Sequence, residues 1–153
     1  MTSNADDSHL QEDITDFKSL DGLRVLLVDD NEDSLILTTF ILENAGLEVQ
    51  TAMSVSQALE TIKQSKFDIL ISDIAMPEMD GYSLIRQIRE GSISEQKDIL
   101  AIALTALSSD ESRTIALDAG FQSYVNKPVE PTVLLVEIKR LISKNQIIHQ
   151  SHQ

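Results

Sequence analysis

Five polar residues stand directly after short apolar runs in this chain: Asp29, Asp30, Asp73, Thr105 and Lys127. Three carboxylates brought into one crevice repel one another, and a hard divalent cation relieves that repulsion. Mg²⁺ favours a few carboxylates, a carbonyl and several waters over an all-protein cage. Asp29 and Asp30 therefore read as a metal-holding pair, with Asp73 beside them. A carboxylate is also a nucleophile toward phosphorus and gives an acyl phosphate. Charge developing on the phosphoryl oxygens then needs a fixed cation and a hydroxyl, which Lys127 and Thr105 supply. Together these residues make a complete set for phosphoryl transfer. Taken singly they mean less: Asp29 and Asp30 would be first-turn acids favoured by a helix dipole, Asp73 a loop acid opening a turn, and Lys127 a solvated loop lysine.

The apolar runs cover residues 23–28, 47–51, 67–72, 99–104 and 121–125. The first, third and fourth are nearly continuous in Val, Ile and Leu, as parallel strands covered on both faces require. The second alternates and contains Glu48 and Gln50, which points to an edge. Helical patterns fall between the runs at about 32–45, 54–64, 81–90 and 109–118, with a last one from Pro131 to about Lys144. Gly46 and Gly120 stand where left-handed C-terminal caps are wanted. Ser54 suits an N-cap, and Pro131 a first helical position. Five β-then-α units predict an α/β fold: a doubly wound, five-stranded parallel sheet with helices on both faces. Such sheets bind ligands outside the carboxyl ends of their strands, where all five polar residues are placed.

At 153 residues the chain has the size of one domain, and it contains no cysteine, so disulfides and thiolate metal sites are excluded. No apolar run approaches the ~20 residues of a membrane span, and the amino terminus has neither basic flank nor apolar stretch of a secretory signal. A cytoplasmic protein is expected. The formal charge of −13 argues against a nucleic-acid partner. Residues 1–21 read as an acidic tail, whose six acids against Lys18 supply −5 of that charge. Residues 22–145 form the domain and 146–153 a C-terminal tail. His9, His149 and His152 all lie in the tails and read as solvated, and the methionines are scattered as core or loop filler.

Val28-Asp29-Asp30-Asn31, Ser72-Asp73-Ile74-Ala75-Met76-Pro77-Glu78-Met79-Asp80-Gly81, Leu104-Thr105-Ala106 and Lys127-Pro128 resemble the receiver domains of two-component response regulators. The order and spacing match: 43 residues from Asp30 to Asp73, 32 more to Thr105 and 22 more to Lys127. The resemblance implies a flavodoxin-like strand order, 2-1-3-4-5. It implies that Asp73 accepts phosphate from a histidine kinase or a histidine phosphotransfer protein. Mg²⁺ would be held by Asp30, Asp73 and the Ala75 carbonyl directly, and by Asp29 mainly through water. Lys127 would contact the phosphoryl group, Thr105 would move toward it, and Tyr124 would turn inward behind it as the aromatic half of the switch. It implies a cis Lys127-Pro128 bond as well. The chain would then be a signalling domain acting through an unidentified downstream protein, alone or as a homodimer, and an enzyme only toward its own phosphorylation and dephosphorylation.

Two positions depart from chemotaxis-type receivers. Ala75 and Leu107 stand two residues after the phosphoacceptor and the switch hydroxyl, and neither can orient an attacking water by hydrogen bonding. Slow self-dephosphorylation is expected. The first helix carries more apolar residues than one face needs. Ser34, Leu37, Thr38, Ile41 and Ala45 make one stripe at helical spacing, and Leu35, Ile36 and Phe40 fall beside it. The surplus is either a broad buried face or a docking patch for a partner's helical bundle, and the resemblance favours docking. Ser8 and Gln11 offer a capping box, with Leu10, Ile14 and Phe17 at helical spacing, so the leader is a short helix or a disordered acidic tail.

Other functions fit less well. A flavodoxin needs a hydroxyl-rich phosphate loop where this chain has Asp29-Asp30-Asn31, and a phosphatase needs a general acid and a cap that are not visible. No DNA-binding domain is expected, because the fifth helical pattern lies close to the last residue of the sequence. Met1 and both tails suggest a stand-alone protein. The motifs also resemble receivers attached to hybrid histidine kinases, either as one module of such a kinase or as a phosphate-shuttling intermediate.

Overall fold

The computed structural model describes residues 16–76, 80–106 and 109–151, with side chains described up to residue 145. The candidate leader helix and Leu107 lie outside the described residues. Strands β1 (Arg24–Val28), β2 (Glu48–Ala52), β3 (Ile69–Asp73), β4 (Leu100–Thr105) and β5 (Ser123–Asn126) alternate with helices α1 (Glu32–Asn44), α2 (Val55–Gln64), α3 (Gly81–Glu90), α4 (Asp110–Ala119) and α5 (Pro131–Ser151). All strand pairs are parallel, and the order is β2-β1-β3-β4-β5. This is the predicted doubly wound sheet.

The strand pattern explains the layers. Alternate residues of a strand point to opposite faces, so Leu26, Val28, Leu70, Ala101 and Ala103 meet α2, α3 and α4, while Val25, Leu27, Ile69, Ile71, Ile102 and Leu104 meet α1 and α5. Every residue of β3 is buried, each large one contributing about 1.5–3 kcal/mol of burial. β2 exposes Glu48, Gln50 and Thr51, as an edge strand does.

Four of the βα turns end in a side-chain cap. Asn31 accepts from the Ser34 amide at 2.9 Å, Ser54 from Gln57 at 3.1 Å, Asp80 from Ser83 at 2.9 Å and Ser109 from Ser112 at 3.1 Å. These bonds satisfy orphan amides of the first turn. Gly46 and Gly120 have φ of 94° and 129°, in line with the caps read from sequence.

Two expectations change. The last helix runs on to Ser151 rather than stopping near Lys144, because no glycine or proline interrupts 145–151. In α1 the buried residues are Leu35, Thr38, Ile41 and Leu42, whereas Leu37 is 53% exposed. The stripe is rotated from the one expected, because a helix apolar on most sides does not fix its own phase. Among the described residues no helix is long and apolar enough to cross a membrane.

Candidate functional site

β1 and β3 lie side by side with Val28 opposite Ser72, so Asp29 and Asp73 leave the sheet as neighbours. Asp29 is 1% exposed and Asp73 6%. Asp30 follows, half-buried, in the turn to α1, where the Asn31 amide donates to Asp29 Oδ1 at 2.9 Å. Carboxylate oxygens of Asp29, Asp30 and Asp73 lie within 4.8 Å of one another. β4 delivers Thr105, buried at 4% exposure. The Lys127 amide donates to the Thr105 carbonyl at 2.8 Å, which carries Lys127 to the same edge one strand further on. The Lys127-Pro128 bond is cis, as the resemblance implies.

Lys127 closes the constellation. Its Nζ donates to Asp29 Oδ2 at 2.7 Å and stands 3.4 Å from Asp73 Oδ2. Burial alone would lower this ammonium, but the hydrogen bond to Asp29 and the charges of Asp73 and Asp29 hold it above its ordinary value, so it stays protonated. Burial pushes the Asp73 carboxyl up, and the Asp29 charge adds to that, against the pull of Lys127. One ammonium thus stands beside a cluster of three carboxylates, pairing with Asp29 and Asp73, and the Asp73 carboxyl stays raised, by burial first. That imbalance fits a divalent cation, since hard oxygen donors this close are costly to ionise together without one. Among the described residues, Asp29, Asp30 and Asp73 are the side chains able to hold it, and Ala75 stands exposed two residues beyond Asp73.

The carbonyls of Asp73 and Ile74 are both hydrogen-bonded. Ser72 Oγ donates to the Asp73 carbonyl at 2.9 Å, and the Gly81 amide donates to the Ile74 carbonyl at 2.9 Å. A Cβ on Gly81 would run into the Asp73 carbonyl oxygen and meet Ile74 Cα at 3.0 Å. Glycine is required there because α3 starts against the backbone of the candidate nucleophile. Sequence reasoning placed Gly81 in a motif without seeing this contact.

A profile of the response regulator receiver domain matches residues 25–139. The chain belongs to that family. An uncharacterized 14.6 kDa protein of Leptolyngbya boryana is 40% identical to this receiver over 118 residues, 77% of this chain and 88% of that one. Hybrid signal transduction histidine kinase L of Dictyostelium discoideum is 35% identical, over 79% of this chain but 7% of the kinase. The receiver spans about half the length of the transcriptional regulators it matches, 52% in the case of PhoP of Bacillus subtilis. A CheY-like receiver domain from Methanospirillum hungatei superposes with a TM-score of 0.73 at 31% identity, over 82% of this chain and 97% of that one.

The remaining candidates lie outside the crevice. Tyr124 is half-buried on β5, its ring under the Arg113 guanidinium at 5.4 Å; Arg113 carried no signal in the sequence. Ile36 and Phe40 are 61% and 67% exposed and line a groove of about 570 Å³ with Thr39, Met53, Glu32 and Glu43. Leu35, grouped with them as a docking residue, touches that groove but is 6% exposed and packs in the core below α1. Its position three residues before Thr38 and seven before Leu42 sets it on the buried stripe.

Proposed function

We propose that this receiver is a phosphorylation-dependent switch of a two-component phosphorelay, taking a phosphoryl group onto Asp73 from the phosphohistidine of a histidine kinase or a histidine phosphotransfer protein. The observation that carries the proposal is the Lys127 ammonium placed between Asp29 and Asp73, with Asp30 alongside. An oxygen of the Asp73 carboxylate attacks phosphorus and forms the acyl phosphate as the phosphorus–nitrogen bond of the donor breaks. The electron pair and a proton remain with the imidazole. Lys127 turns its ammonium to the phosphoryl oxygens, and the Thr105 hydroxyl donates to one of them. Asp30, Asp73 and the Ala75 carbonyl would hold Mg²⁺ directly and Asp29 mainly through water, and the bound ion would supply counter-charge for the carboxylates and the incoming phosphoryl group. Thr105 and Tyr124 then shift together, and a downstream protein reads the change.

Incubation with acetyl phosphate and Mg²⁺, followed by intact-mass measurement, tests this reading. Wild type gains one Mg²⁺-dependent phosphoryl adduct and Asp73→Asn gains none. An unmodified wild type, or an equally modified variant, overturns it. Ala75 has no side-chain group to orient a hydrolytic water, so the adduct on the isolated domain persists for minutes or longer; decay within seconds contradicts that part. The exposed pair Ile36 and Phe40 is the proposed docking patch for the phosphodonor, which works in the cytoplasm. Ile36→Glu folds normally and loses transfer from the protein donor, while its labelling by acetyl phosphate is retained.

A further inference from the structure

The groove between α4 and α5 is lined by Arg113, Leu117, Gln122, Ser123, Tyr124, Glu137 and Arg140. Its polar groups are cross-linked over three elements. The Arg113 guanidinium, from α4, lies 5.4 Å from the centroid of the Tyr124 ring on β5. Ser123, the neighbour of Tyr124, donates its hydroxyl to Glu137 Oε1 on α5 at 2.7 Å. Glu137 is also paired with Arg140 through Nε at 3.0 Å and through a second, shorter contact. Burial would raise the Glu137 carboxyl, but the hydrogen bonds from Arg140 and Ser123 and the charges of Arg140 and Arg113 hold it below its ordinary value.

The half-buried Tyr124 packs against the core cluster on the α2–α4 side of the sheet. It pairs with Ala103 on β4 and packs on a cluster that includes Ala101, Ala103, Ala116 and Ala119. One face of the ring thus carries the guanidinium of the exposed Arg113. On the reading of Tyr124 as the switch aromatic, we infer that Arg113 is a positioning residue: a cation–π latch that holds Tyr124 in the groove and so restrains the unphosphorylated state. Inward movement of the ring breaks the latch, and any ligand that favours the inward state must work against it. By reciprocity, loosening the latch tightens binding of that ligand by the same factor. An exposed cation–π contact is equivalent to about two- to fivefold in an equilibrium constant.

Beryllofluoride with Mg²⁺, used as a phosphoryl stand-in on the full chain, tests the latch. Its apparent Kd is measured for wild type, Arg113→Gln and Arg113→Lys, together with the ¹³C-labelled ring signals of the two tyrosines. Arg113→Gln binds beryllofluoride about two- to fivefold more tightly, and its ligand-free Tyr124 signal moves toward the position of the loaded wild type while Tyr82 stays in place. Arg113→Lys, which keeps a cation by the ring, returns both readouts toward wild type. In a Tyr124→Ala background Arg113→Gln changes nothing. Equal or weaker binding by Arg113→Gln, an unmoved Tyr124 signal, or no rescue by lysine overturns the latch. A wild type that forms no acetyl phosphate adduct and binds no beryllofluoride instead refutes the phosphoacceptor reading, and the latch falls with it.

Discussion

At the carboxyl ends of the strands the Lys127 ammonium pairs with Asp29 and Asp73, and Asp30 lies alongside them. At the amino ends Arg89 and Gln96 spend their donors on neutral acceptors. Arg89 donates to the Gly120 carbonyl through Nε at 3.0 Å and Nη2 at 2.8 Å, to the Lys97 carbonyl at 2.7 Å and to Gln122 Oε1 at 3.1 Å. Gln122 Oε1 also takes the Ala101 amide at 2.7 Å. Gln96 donates to the Ile62 and Ser65 carbonyls, both at 2.8 Å, and accepts from the Phe67 amide at 2.7 Å. One end is a saturated network that ties the α3–β4 loop to its neighbours. The other is left short of positive charge. A fully satisfied network rigidifies, whereas a partly compensated one is open to a ligand that completes it, so stability and ligand chemistry are divided between opposite ends of one sheet.

Arg89→Ala is the strongest way to break that division. It deprives the Gly120 and Lys97 carbonyls of their partners in a half-buried place, at a cost of about 2–4 kcal/mol, seen as a lower urea midpoint with unchanged slope. At a temperature where the variant is folded, its labelling by acetyl phosphate matches wild type. A labelling rate that fell while stability held would mean that the two ends are coupled.

The two networks were also unequally legible. Asp29, Asp30, Asp73, Thr105 and Lys127 each follow an apolar run, so strand periodicity placed them at one edge before any geometry was known. The sheet order came with the motifs rather than from the pattern. Arg89, Gln96 and Gln122 sit in or beside α3, a loop and β5 with no pattern around them, since long polar side chains are ordinary at a surface and their carbonyl partners have no residue type. Arg113 was invisible for the same reason: its target is a ring on another element. Leu35 and Leu37 exchanged places because α1 is apolar on several sides, and only packing against α5 and the sheet settles which side faces in.

Gly81→Ala sharpens the comparison where fold and site touch. Alanine improves helix propensity by about 1 kcal/mol, but the new Cβ meets the Asp73 carbonyl oxygen and Ile74 Cα, and overpacking costs about 1–3 kcal/mol. A net loss of about 1 kcal/mol is expected. The displaced backbone belongs to the candidate nucleophile, so acetyl phosphate labelling slows several-fold as well. Arg89→Ala loses more stability and no labelling; Gly81→Ala loses less stability and much of the labelling. If Gly81→Ala labels at the wild-type rate, the tight approach of α3 has only a packing role.

The smallest effect has a sign that separates the two ends. The folded-state value of Asp73 is raised, by burial first. Its contribution to stability is therefore full below the unfolded carboxyl value of about 3.9 and is lost as pH rises through the folded value. At pH 7 the ionised group is a net cost, so Asp73→Asn is more stable than wild type by about 0.5–2 kcal/mol, and the gap closes as pH falls toward 4. Glu137, bonded to Ser123 at the start of β5, has a lowered value. Its contribution is present above the unfolded value of about 4.3 and is lost as pH falls through the folded one. Glu137→Gln is accordingly less stable at pH 7 by about 1 kcal/mol, a deficit that vanishes in acid. Urea unfolding of both variants and wild type between pH 7 and pH 4, without Mg²⁺, gives differences of opposite sign at neutral pH that both shrink on acidification. Differences of the same sign would show that the crevice carboxylates are as well compensated as those at the other end, and the case for a cation site at Asp73 would lose its electrostatic basis.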